Sequence, residues 1–366
     1  MKTSSQPIRP LRALALLAAI ATLALPLRAA PLLQGYAVTN LVADLPGVAA
    51  NLDTNLLNPW GLTFDESGDP IVADNANNLA SFYGPDGTPV PFTINAGIAP
   101  TGIEFNTSTN NFLIGPVSNQ VPAELVMCTE SGTILGFSLA VNFNTAVVEV
   151  DDSASGAVYK GLTIARIFGR EFLYATDFHN NKIKVYNSSF NFVGSFTDPF
   201  VDKGYAPFNI RNIGGFLFVT FAKQKPGAMD DQAGAGNGFV DIFLPNGILI
   251  KRLVSHGNLN SPWGLTYVPF TFGKLGGSLL VGNFGDGKIN AYDPITGRFQ
   301  GTVSSPSGTP IVIPGLWSLK FTPNIDSNGD DDCDNPLNGN LYFTAGPNNE
   351  SDGLLGLIQP SVASKH

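Results

Sequence analysis

The chain has 366 residues, a net charge of −9 and only 13% charged residues, with 40 glycines and 27 prolines. A sequence pI near 4.7 and the lack of any run of four or more Lys/Arg count against nucleic acid and anionic membrane surfaces as partners. So much Gly and Pro also counts against a helical fold, while 43% hydrophobic residues suffice for a large buried core.

At the N-terminus Lys2, Arg9 and Arg12 flank the start of an apolar stretch at 13–25, and the small residues Ala29 and Ala30 follow. That order reads as a signal peptide over residues 1–30. The stretch is shorter than the ~20 residues that span a bilayer. The expected mature protein is secreted or periplasmic, without a membrane span, and monomeric. It is one domain over residues 31–360 with a disordered tail at 361–366.

A repeat sets the fold. Asn58-Pro59-Trp60-Gly61-Leu62-Thr63 returns as Ser261-Pro262-Trp263-Gly264-Leu265-Thr266, and weaker copies begin at Ala99, Val158, Ala206 and Gly315. Starts ~40–60 residues apart have the spacing of propeller blades. A second apolar run follows each copy, at 70–73, 111–114, 171–175, 215–220, 278–281 and 340–344. Then come a polar loop, an alternating run such as 182–186 or 288–292, a turn, and a fourth run. The pattern predicts an all-β, six-bladed β-propeller of four-stranded blades. The last unit supplies only three strands. An N-terminal strand at 36–42 is predicted to complete blade six and close the ring, which removes exposed sheet edges.

The motifs N-P-W-G-L at 58–62, T-D-F-H-N at 176–180, G-Y-A-P-F-N-I at 204–210, S-P-W-G-L at 261–265 and G-N-F-G-D-G at 282–287 carry a resemblance. The chain resembles a family of secreted bacterial six-bladed propellers, related to NHL repeats, whose members often end in a PEP-CTERM sorting tail. The resemblance spans nearly the whole mature chain. It implies the propeller and export, and it supplies no reaction. The sequence ends at 361–366 without a sorting tail, which favours free secretion or a periplasmic location over surface anchoring.

In such a propeller the loop leading into the innermost strand and the loop joining strands two and three share one face, over the central tunnel. The first loop gives the column Trp60, Thr101, Lys160, Phe208, Trp263 and Trp317, which holds all three tryptophans. These aromatics either wedge neighbouring blades together or form a rim that stacks on a sugar or holds a cation. Asn180, Asn209 and His256 fall near the same face and join them as expected ligand contacts. The second loop gives Asn75, Pro116, Asp177, Phe221, Asn283 and Ala345. Its oxygen-bearing members, Asn75, Asp177 and Asn283, sit in alternate blades. They would suit a hard cation such as Ca²⁺, as in calcium-dependent lactonases of the same fold, a fold-level analogy. They serve equally as caps of blade turns.

His179, two positions past Asp177, is a candidate general base, and Lys223 is a second catalytic candidate. Residues 222–238 form the longest loop, a candidate lid. On the other face Asp326, Asn328, Asp330 and Asp332 alternate like ligands of a structural Ca²⁺. Asp331 and Leu337 stand where an EF-hand has Gly and Glu, and a solvated acidic loop is the other reading. Cys128 and Cys333 are expected to stay unpaired, because blade one separates their blades. No Gly-x-Ser-x-Gly elbow appears. The sequence favours a protein that binds a small molecule, glycan or protein on this face, ahead of a metal-dependent, lactonase-like hydrolase.

Overall fold

The computed structural model describes residues 35–322 and 340–362. The leader at 1–30, the aspartate loop with Asp326, Asn328, Asp330 and Asp332, and Cys333 all lie outside the described residues. Six antiparallel sheets follow one another at 59–95, 100–151, 159–196, 205–255, 262–302 and 316–361. They are blades 1 to 6. Their innermost strands are Pro59–Phe64, Pro100–Phe105, Tyr159–Ile167, Tyr205–Ile213, Pro262–Tyr267 and Leu316–Phe321. Each packs on the next and the last packs on the first, so the ring is closed. The fourth strand of blade 6 is N-terminal: Gly35–Ala43 pairs antiparallel with Leu354–Ser361, Val42 opposite Leu355. The short strand Asn51–Leu52 adds a parallel edge to that blade.

Crowding explains the repeated Trp-Gly. A methyl group on Gly61 would lie 2.3 Å from the Thr101 carbonyl oxygen, and one on Gly264 would lie 2.8 Å from that of Trp317. Glycine therefore marks where the backbones of adjacent innermost strands approach each other. Away from the axis, each pair of neighbouring blades encloses its own apolar core. Ile71 and Ile94 of blade 1 meet Ile103 and Met127 of blade 2. Val42 and Leu355 of blade 6 meet Leu62 and Val72 of blade 1, which completes the circle.

Blade 2 departs from the sequence reading. Its second strand is Leu125–Thr129, not the run at 111–114. Leu113–Ile114 pairs instead with Val121–Pro122 in a separate two-stranded hairpin. Cys128 thus lies in the second strand, buried and free. Burial pushes its thiol up to about 12, which makes it a poor nucleophile.

Blade 4 holds a buried charge cluster. Arg252 Nε lies 3.3 Å from Asp241 Oδ1 and the same guanidinium pairs with Asp198. One cation faces two carboxylates, and burial pushes Asp241 up to about 8 despite Arg252. A folded-state pKa above the unfolded one favours folding below the unfolded pKa, and that contribution is lost as pH rises through the folded value. Asp241→Asn removes this titration. Its melting temperature relative to wild type is expected to climb between about pH 4 and pH 8. A gap independent of pH in thermal melts across that range would contradict the assignment.

Candidate functional site

The column that begins the innermost strands is buried in all six blades. Its side chains form no open rim: the aromatic members pack between adjacent blades, and they also meet across the axis. Trp60 of blade 1 stacks on Trp317 of blade 6 with ring centroids 3.5 Å apart, and Phe284 covers the other face of Trp317 at 3.9 Å. Trp263 stands edge-on to both, at 6.1 and 5.9 Å. Phe208, from the blade opposite Trp60, reaches it at 6.4 Å. With Phe178 they form one apolar cluster that plugs the tunnel. Asn209 is buried beneath it and donates to the Trp263 carbonyl at 2.8 Å, so it serves the inner ring and not the rim.

Lys160, from blade 3, is the one charged member of the column, and its side chain is 2% exposed. Its Nζ lies 5.0 Å from the Trp60 ring centroid. The ammonium pairs with Glu130 of blade 2 and lies 3.5 Å from Asp230 of blade 4. Glu130 Oε2 accepts from Asn75 Nδ2 at 3.2 Å. Asn58 Nδ2 donates to Asn75 Oδ1 at 3.3 Å and to Glu350 Oε2 of blade 6 at 2.9 Å. The Asn58 oxygen in turn accepts from Trp317 Nε1 at 2.9 Å. Glu130, Asp230 with Asp231, and Glu350 thus come from the second-to-third-strand loops of blades 2, 4 and 6, and gather around one lysine above the plug. Three buried polar atoms here have no hydrogen-bond partner, Trp60 Nε1, Asp231 Oδ2 and Ser261 Oγ, the last beside Asp231.

Of the three oxygen-bearing residues expected to converge, Asn75 alone enters this cluster. Asp177 accepts from the Val158 and Asn180 amides and from Asn180 Nδ2, and lies 3.6 Å from Lys184. Asn283 donates to the Asn258 carbonyl and accepts from the Asn260 amide. Both fasten loops of their own neighbourhood. His179 is half-buried and its Nδ1 has no partner. His256 Nδ1 meets the Gly236 carbonyl at 2.6 Å, and its ring packs edge-on to Phe239. Lys223 ends a strand, opposite Tyr205. The loop at 222–238 folds back on itself, with Gln224 bridged to Asp231, and Gln224 Nε2 donates to the Phe178 carbonyl at 2.6 Å. That fold delivers Asp230 and Asp231 to the cluster.

No family model matches the chain. Two proteins of Acanthamoeba polyphaga mimivirus, uncharacterized protein R648 and uncharacterized protein L690, are 32% and 31% identical to it over 341 and 343 residues. Each alignment covers 88% of this chain, and 80% and 85% of the two relatives. The chain belongs to their family. These relatives are viral, so the resemblance to secreted bacterial propellers with sorting tails finds no counterpart among them. Among solved structures, a streptogramin B lyase has a TM-score of 0.49 at 10% identity, covering 91% of this chain and 100% of that one. A virginiamycin B lyase from Staphylococcus aureus has a TM-score of 0.45 at 12% identity, covering 88% and 99%.

What this family member holds over its tunnel is an excess of negative charge. Burial, and repulsion from Glu130 and Asp231, raise the Glu350 carboxyl against the help of Asn58 and Lys160. Burial also raises Asp231, against Ser261, Lys160 and Lys225. Among the described residues no group of three or more His, Cys, Asp or Glu is arranged to hold a metal. The central positive charge is the protein's own, on Lys160.

Proposed function

We propose that this chain is a binding protein that takes a small cationic ligand, an amine, on the face over the plugged tunnel. The observation that carries this is the gathering of Glu130, Asp230, Asp231 and Glu350, from three alternate blades, around the single buried Lys160. Raised carboxyl pKa values in a partly exposed cluster mark a site that gains from another positive charge. The tryptophans are buried against one another, so a sugar has no open ring to stack on. The leader at 1–30 adds export to the proposal, and the form to assay is the chain without it.

The test is calorimetric titration with spermidine, ethanolamine and choline, with glucose and citrate as controls. Amines are expected to bind, and Glu350→Gln or Asp231→Asn to weaken them about tenfold each, the size of one charge-assisted contact. Affinity should fall as pH drops through the raised carboxyl pKa values, and binding should release protons there. Equal binding of glucose, or indifference to both substitutions, would sink the reading.

A further inference from the structure

The face opposite the carboxylate cluster carries a separate signal. Turns joining strands one and two project there, and three consecutive blades place a phenylalanine on or beside them: Phe168 on the turn of blade 3, Phe216 at the start of the second strand of blade 4 and Phe270 in the loop of blade 5. Phe168 is fully exposed, Phe270 is 83% exposed and Phe216 42%. Phe168 also holds a left-handed φ of 48° beside Gly169. The two are the central residues of the tight hairpin that pairs Ile167 with Arg170, a turn that needs positive φ at both positions and ordinarily takes Asn, Asp or Gly where Phe168 stands. Ile248 and Ile295 stand exposed on the turns joining strands three and four of blades 4 and 5, on the same face.

The charges on these turns are mostly basic. Arg170 follows Phe168, Arg211 lies near the end of blade 4's innermost strand, Lys274 sits in the loop after Phe270, and Arg298 closes the outer turn of blade 5; all reach solvent. The acidic side chains of the same turns are engaged. Glu171 is buried against Arg166, and Asp293 accepts from the Thr296 and Ile295 amides of its own turn and keeps its charge beside Arg298. Asp65, Glu66, Asp69 and Asp86 lie on the turns of blade 1, Asp326, Asp330 and Asp332 belong to the sequence that joins strands one and two of blade 6, and the cluster around Lys160 is on the opposite face. The net charge of −9 therefore hides a sector of the ring that is basic and aromatic.

We propose that this sector docks on an anionic lipid surface. Phe168, Phe216 and Phe270 enter the headgroup region, and Arg170, Arg211, Lys274 and Arg298 meet its negative charge. Exposed aromatic tips among cations are the composition of an interfacial anchor. The phenylalanines favour a membrane over a free phosphate, which has no use for apolar surface. The surface is independent of the amine site, and either reading can fail alone.

The experiment is co-sedimentation of residues 31–366 with phosphatidylcholine vesicles, with and without phosphatidylserine, at rising salt. Binding is expected only with phosphatidylserine and should weaken as salt screens it. Phe168→Ser, Phe216→Ser and Phe270→Ser together should reduce partitioning at least about tenfold, even if each ring inserts only in part. Arg170→Gln and Lys274→Gln should each reduce it about fivefold. An unchanged thermal melt and amine titration keep these variants comparable with wild type. Full binding by the triple serine variant, equal binding to neutral vesicles, or no binding at low salt would each overturn the proposal. So would a concentration-dependent dimer that the serine substitutions abolish while vesicles bind nothing, because that outcome makes a second copy the occupant.

Discussion

Trp317→Ala is expected to destabilise the protein by about 3–5 kcal/mol, the upper range for truncating a buried aromatic. The ring is 1% exposed and sandwiched between Trp60 at 3.5 Å and Phe284 at 3.9 Å. A cavity left there has poor means of collapsing. Its walls come from several blades, and each wall is held by its own sheet. The loss also removes the Nε1 donor to Asn58 Oδ1, which leaves a buried amide oxygen unpaired. Asn58 in turn holds Glu350 and Asn75, so amine affinity should fall together with stability. Trp317→Phe keeps most of the stacking and should lose clearly less. Denaturant midpoints for both variants check this. A cost near 1 kcal/mol for the alanine, well under the usual range, would mean that the axial aromatics are not a packed core.

The architecture was legible because its constraint recurs. Every turn of the ring brings innermost strands together, and the Trp-Gly of the two strong motif copies records the approach at Gly61 and Gly264. The closing strand was legible because the last unit lacked one and the first unit had a surplus. The site was less legible. In blade 2 the apolar hairpin of Leu113–Ile114 with Val121–Pro122 imitates a second strand, and it put Pro116 where Thr129 ends the true one. Glu130 follows Thr129 directly; the residue reads as a candidate inner ligand or the start of a strand turn, and the misplaced column kept it from being set beside Lys160. Glu350 and Asp231 were hidden differently. They sit five and ten residues beyond Ala345 and Phe221, at different depths in loops of unequal length, and no column read in register collects them.

The aromatic column aligns by repeat position, and packing between blades, one of its two readings, agrees with its burial; its meeting across the axis does not follow from the repeat. A repeat position states which way a side chain points in its own blade. It does not state that six inward-pointing side chains share one narrow axis. Trp60 meeting Phe208 from the opposite blade is a property of the closed ring. Net charge is likewise a sum over the chain, and it does not record that the turns of blades 3 to 5 carry Arg170, Arg211, Lys274 and Arg298.

Lys160→Ala joins these points. Removing one partner of a buried ion pair costs about 3–5 kcal/mol, because the remaining charge stays desolvated. Here Glu130 loses its ammonium while Asp231 and Glu350, already raised, lose a nearby counter-charge. The loss should be larger at neutral pH than in acid, since the raised carboxyls take up protons as pH falls and relieve the repulsion. Glu130→Gln in the same background should recover part of it. The vacated space also has the shape of the removed side chain, next to Trp60 and facing the carboxylates. n-Butylamine should therefore raise the melting temperature of Lys160→Ala more than that of wild type, by the mass-action stabilisation a ligand confers on the folded state. n-Butanol, which matches its size without the charge, should not. If both rescue equally, the cluster selects for shape and not for charge, and an amine loses its claim as the ligand. If only the amine rescues, the carboxylates of blades 2, 4 and 6 are acting as a cation receptor that Lys160 half fills.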